Sequence, residues 1–150
     1  MDSLMNEERF WHIIDISKEE SDGNLKKQLK LMEDKLFKLS EDEILDFHGL
    51  IEEKKGILYD IEKILWSIAN KINGPTSDDG FEYFLCWIVS QGKKIFSDVL
   101  KNPEIIFEIT AGEIYGECNF ELEELNYVTQ NAFERKTGKD WWAAWYEGDY

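Results

Sequence analysis

The chain has 150 residues, 43% of them hydrophobic, with 6 Trp, 6 Tyr and 9 Phe. This is the length of one ordinary domain with ample apolar material for a core, which excludes a chain disordered over most of its length. Against 17 basic side chains stand 32 acidic ones, and the net charge of −15 repels nucleic acid and anionic membrane while steering towards basic partners.

In chain order the pattern is helical nearly throughout. Asn6 is placed to cap a first helix with Glu7 and Glu8 in its first turn, where carboxylates suit the helix dipole, and Phe10, Trp11, Ile13 and Ile14 form its apolar face. Asp22-Gly23-Asn24 reads as a turn followed by a new cap. Leu25, Leu29, Met32, Leu36 and Leu39 then recur at steps of four and three, the stripe of an amphipathic helix lying on a core.

Ser40 and Glu43 have capping-box spacing at the start of a pattern running from Ile44 to Ile72. Its apolar face does not hold one direction. Ile44, Phe47, His48 and Ile51 share one line, and Ile61, Leu65, Ile68 and Ile72 point roughly 80° away on a straight-helix wheel. The spacing therefore predicts a kink or short break at Lys54-Lys55-Gly56.

Asn73-Gly74-Pro75 is a stop, and Ser77, Asp78 and Asp79 are each suited to cap the next helix, with Asp79 and Glu82 at capping-box spacing. Phe81, Phe84, Leu85, Ile88, Ile95, Phe96 and Val99 give that helix one face, and Tyr83, Cys86, Trp87 and Val89 fill much of the rest, as in a central buried helix. Gly92 falls on the main face, so either another backbone passes close there or the helix bends. Residues 104–118 stay open between a short helix, irregular structure and a small edge strand. Asn119 is suited to cap a last helix with Leu122, Leu125, Val128, Ala132 and Phe133 on its face and Thr137-Gly138 at its end. An acidic, Trp-rich extension over 139–150 follows. The expected fold is all-α, a single compact domain of five to seven helices over residues 1–150.

The acid excess is uneven. Residues 102–150 hold 3 basic and 11 acidic side chains, more than half of the whole imbalance. No apolar run approaches the ~18 residues of a membrane span, and Met1 to Phe10 carries acids where a signal peptide has a basic stretch. Cys86 and Cys118 fit a reducing compartment better than a disulfide framework. The expected location is the cytoplasm.

Asp78, Asp79 and Glu82 could be read as a carboxylate cluster for a divalent cation, but three acids in one turn are few for a hard ion, and helix capping accounts for all three. His12 and His48 stand at no metal-ligand spacing to another His or Cys. A Cys–His nucleophilic pair is conceivable, yet Cys86 sits in the most apolar helix, where a thiol behaves as a small hydrophobe. There is no phosphate-cradling loop, zinc pattern or nucleophile elbow. No catalytic residue, metal or cofactor is assigned. Trp141, Trp142, Trp145 and Tyr146 at helical spacing read either as a last core turn or as an exposed patch rimmed by Asp140, Glu147 and Asp149, the composition of a protein-binding hot spot.

Phe10-Trp11, then Ser77-Asp78-Asp79-Gly80-Phe81-Glu82-Tyr83-Phe84 with Trp87-Ile88 and Gln91-Gly92, then Phe133-Glu134-Arg135-Lys136-Thr137-Gly138 occur in one order. Together they resemble the bacterial family known as domain of unknown function 4240, over roughly residues 6–138. The family's pattern has an arginine where this chain has Leu85. The resemblance implies a compact helical domain in a bacterial cytoplasm and transfers no catalytic residue.

The leading functional expectation is a non-catalytic protein-binding domain, of immunity type, in which Glu113, Glu117, Glu121, Glu123 and Glu124, with Glu104 and Glu108, face a basic toxin while Trp141, Trp142, Trp145 and Tyr146 anchor it. The alternatives are an enzyme or small-ligand binder with a pocket at the Ser77, Asp78, Asp79 and Glu82 helix start, and a regulatory or scaffolding domain that forms a homodimer through its Trp-rich end. DNA mimicry by the acidic surface is a lesser option.

Overall fold

A computed structural model of the chain describes residues 5–110 and 120–146. Among the described residues the secondary structure is entirely helical, in nine helices: α1 Glu7–Ser21, α2 Leu25–Phe37, α3 Glu41–Tyr59, α4 Glu62–Asn73, α5 Asp78–Ser90, α6 Lys93–Lys101, α7 Ile105–Ile109, α8 Leu125–Thr137 and α9 Trp141–Tyr146. The count exceeds the expected five to seven because two long periodic stretches are each divided, and because two short helices, α7 and α9, form.

The local signals for the first turns hold. Asn6 accepts the Arg9 N–H at 2.9 Å, and Asn24 accepts that of Lys27 at 2.9 Å. Between them Asp22 takes a left-handed conformation at φ 52°. Ser40 and Glu43 form the reciprocal box, with the Glu43 N–H on Ser40 Oγ at 3.2 Å and the Ser40 N–H on Glu43 Oε1 at 3.0 Å.

The break expected at Lys54-Lys55-Gly56 is absent. α3 is continuous through these residues, and the chain turns instead at Asp60-Ile61. The shift in apolar direction falls at that turn, since Leu65, Ile68 and Ile72 lie on the next helix, α4. The backbone divides into two compact units, one of residues 1–53 with 124–150 and one of residues 54–123. Helix α3 therefore serves two cores in turn, with Ile44, Phe47 and Ile51 buried in the first unit and Leu58 in the second.

The expected central helix, from Ser77 to its stop at Lys101-Asn102-Pro103, is likewise two helices. Gly92 stands between them at φ 103°, a conformation that disfavours any side chain, so the bend read from its place on the face is a full break. Of residues 104–118, those described form α7 and its end, and no strand. The last long helix starts at Leu125 rather than at Asn119, which lies outside the described residues with Cys118, Glu113, Glu117, Glu147 and Asp149.

In the first unit α2 packs against both α1 and α8. Its core holds Phe10, Ile14, Met32, Leu36, Phe47 and Phe133. The second unit is built on a file of aromatic rings. Trp66 stacks on Phe81 at 4.3 Å, Phe84 stacks on Trp87 at 6.2 Å, and Trp87 meets Phe120 edge-on at 5.3 Å. The steps of three from Phe81 to Phe84 to Trp87 place these rings on one side of α5. Leu85 and Cys86 are wholly buried beside them. The returning chain is held by the buried Asn73 amide, which accepts the Phe120 N–H at 3.1 Å and donates to the Phe120 carbonyl at 3.4 Å. Among the described residues no helix is long and apolar enough to cross a membrane.

Candidate functional site

The acidic motif opening α5 is occupied within its own unit. Of the three candidate caps, Ser77 is the one used, accepting the Gly80 N–H at 3.0 Å. Asp78 and Asp79 are exposed in the first turn. Glu82 does not close a box with Asp79; its carboxylate receives the buried Lys55 ammonium at 3.3 Å. Gly80 is buried, and a Cβ there would stand 3.2 Å from both Ser77 Oγ and Glu121 Oε2. Glu121, expected on a partner-binding surface, thus lies against the helix start, where a carboxylate suits the dipole. Among the described residues no three His, Cys, Asp or Glu side chains group as metal ligands.

The motif Phe133 to Gly138 is also intramolecular. Arg135 donates to Glu33 at 2.7 Å and Asp34 at 3.3 Å while its guanidinium lies 4.1 Å over the Phe37 ring. Lys136 donates to the Phe37 carbonyl at 3.2 Å, and Gly138 closes α8 in the left-handed conformation at φ 71°.

The C-terminal aromatics divide by face. On the six residues of α9 the i,i+4 pairs are stacked, Trp141 with Trp145 at 5.9 Å and Trp142 with Tyr146 at 5.2 Å. Trp141 is 2% exposed and belongs to the core, edge-on to Phe133. Trp142 and Tyr146 are 53% and 67% exposed, with Trp145 half-buried between the two conditions. The helix is positioned from both sides. Glu134 accepts the Trp141 N–H at 3.2 Å, and the Trp145 ring reaches α3 at Gly49.

Beneath α9 lies His48, buried and edge-on to both Trp141 (4.9 Å) and Trp145 (4.5 Å). Its Nδ1 is 2.6 Å from Thr129 Oγ1 on α8, and its Nε2 faces Glu52 Oε2 at 3.8 Å. A cleft of about 170 Å³ opens here, all of it within the first unit. The four residues of α9 already named line one side, Tyr127, Asn126 and Gln130 of α8 another, and Glu52 the third. The sequence reading placed the α9 aromatics in one site but missed His48, Glu52 and Tyr127. Tyr127 is set off the apolar stripe of α8, and His48 and Glu52 are one turn apart. Only the packing of α3 on α8 makes them neighbours.

Of the expected acidic residues, Glu124 precedes α8 in this unit, and Glu123, Glu104 and Glu108 are exposed in the other. A larger groove of about 630 Å³ runs along α1 and α2, with Arg9, Lys35 and Lys38 among its walls. Two of those cations are already engaged, Arg9 with Glu43 and Lys35 with Glu20 at 3.1 Å. No curated protein and no solved structure is detectably similar to the chain. Residues 5–135 match the model of the family described as Protein of unknown function (DUF4240), and the chain belongs to that family.

Proposed function

We propose that the chain is a non-catalytic protein-binding domain for a basic partner, anchored by the aromatic end of its first unit. The finer form of this reading is an immunity-type protein that neutralises a basic toxin. The observation that carries it is the exposed stacked pair Trp142 and Tyr146 beside half-buried Trp145. Water-exposed indole and phenol rings on a helix are the anchors that protein interfaces bury, and Tyr127 adds a further exposed ring beside them. A net charge of −15 supports a basic partner by speeding encounter.

Truncation at Thr137 would remove Trp141 from the core, so the anchor is tested by Trp142→Ser with Tyr146→Ser, which leaves Trp141 in place. Affinity capture from the native host is expected to retain a basic protein on the wild type and lose it on the double variant, with unfolding transitions of both proteins coinciding. Co-expression with that protein should relieve growth inhibition if it is a toxin. Recovery of the same proteins by both forms would count against the anchor. A wild-type dimer that sediments as a monomer after the two substitutions would assign the same face to self-association.

A further inference from the structure

We infer that the groove along α1 and the end of α2 binds a small amphipathic carboxylate, an aliphatic chain with one anionic head. The site shares no residue with the α9 cleft and does not depend on the protein-binding reading. Its volume of about 630 Å³ falls within the ~300–1,000 Å³ of small-molecule sites, and all its walls belong to the first unit. Helix α1 lays out a gradient along it. Glu8, Arg9 and His12 come first on one face, and Ile13 and Ile16 continue that face into the next turn. Leu39, just past α2, adds a third aliphatic wall. Ile13 is buried, whereas Ile16 and Leu39 are half-buried and leave apolar surface for a ligand to cover.

The charge of the head follows from the polar groups that remain open. Arg9 is paired with Glu43, and Lys35 with Glu20 at 3.1 Å. Lys38 and His12 are exposed at the groove, and among the described residues neither the Lys38 ammonium nor the His12 ring enters a hydrogen bond or ion pair. Glu8 is the one carboxylate in the lining. Donors therefore outnumber acceptors around the apolar floor. A carboxylate meets them with a single charge, whereas a polyanion would bring several into the field of a chain at −15. A cationic head would find only Glu8 and would face Lys38, and a neutral apolar molecule would cover polar groups without compensation.

Calorimetry and amide NMR on the full chain test this with octanoate, octanamide, octylammonium and acetate, all below micelle-forming concentrations. Octanoate is expected to bind at millimolar concentration and to move the amide signals of α1 and of residues 35–39. Acetate lacks the apolar body and should bind on the order of tenfold more weakly. Lys38→Gln should weaken octanoate about threefold and Glu8→Gln should tighten it, with unfolding transitions nearly unchanged because both side chains are exposed. Non-specific uptake by an acidic chain would rank octylammonium first, and that ranking would overturn the site. Equal binding of octanamide, equal binding of acetate, or an unchanged affinity in Lys38→Gln would overturn it too. So would weaker binding in Glu8→Gln, which would mark a cationic or zwitterionic head, or signals that move only outside α1 and residues 35–39.

Discussion

Ser77 shows how a motif that invites a chemical reading can be a device of local folding. Its hydroxyl accepts one of the N–H groups that the first turn of α5 leaves without an intrahelical partner, while Asp78 and Asp79 act only through the helix dipole. Ser77→Ala is expected to cost about 1 kcal/mol in chemical denaturation, and Asp79→Ala only a few tenths. The reverse order would return Asp79 to the role of cap. Gly56 carries a second residue-scale expectation. It lies exposed within a continuous helix, with nothing within 4 Å of a Cβ placed there. Gly56→Ala should raise stability by about 0.5–1 kcal/mol, whereas a break at this position would make the change neutral or harmful. Both roles were half legible. The residue types marked the helix start and the change of face, but choosing among three adjacent caps, or between a break at Gly56 and one at Asp60, needs the position of the neighbouring chain.

At the scale of the element, the start of α3 is held by charge. The Ser40 N–H donates to Glu43, and Arg9 pairs with the same carboxylate, so its pKa lies below the usual 4.5 despite partial burial. A depressed folded value means that its stabilising contribution is complete above the ordinary value and is lost as pH falls through the lower folded one. Glu43→Gln should therefore lose less stability than the wild type across that acidic window, measured by denaturant unfolding at a series of pH values. Helix α9 makes a different prediction, since its two faces do different work. Trp141→Ala removes a ring packed on His48 and Phe133 and should cost about 3–5 kcal/mol. Trp142→Ala should change stability by no more than about 0.5 kcal/mol. Helical spacing marked Trp141, Trp142, Trp145 and Tyr146 as one helical group, and the structure pairs Trp141 with Trp145 and Trp142 with Tyr146. Which pair faces inward depends on where α3 and α8 stand, and periodicity within six residues carries no sign for that.

For the whole molecule, the long-range field set by its charge is the property with a measurable consequence. At a net charge of −15 the association rate with a basic partner should fall on the order of tenfold between low and physiological salt, while the dissociation rate changes little. A stopped-flow salt series on the captured partner measures this, and a flat response would detach the charge from recognition. The sequence by itself determined the helical class, the charge, and the turns at Asp22, Gly74 and Gly138, because caps, glycines and periodicity act over a few residues. It also brought the α9 aromatics into one group. The tertiary structure alone decided that α3 continues from one core to the next, that Gly92 ends a helix, that Glu121 and Glu82 are engaged within their own unit, and that His48, Glu52 and Tyr127 join the α9 rings around a cleft. Those outcomes depend on contacts between residues far apart in the chain, and a local pattern constrains which face is apolar but not which distant element comes to cover it.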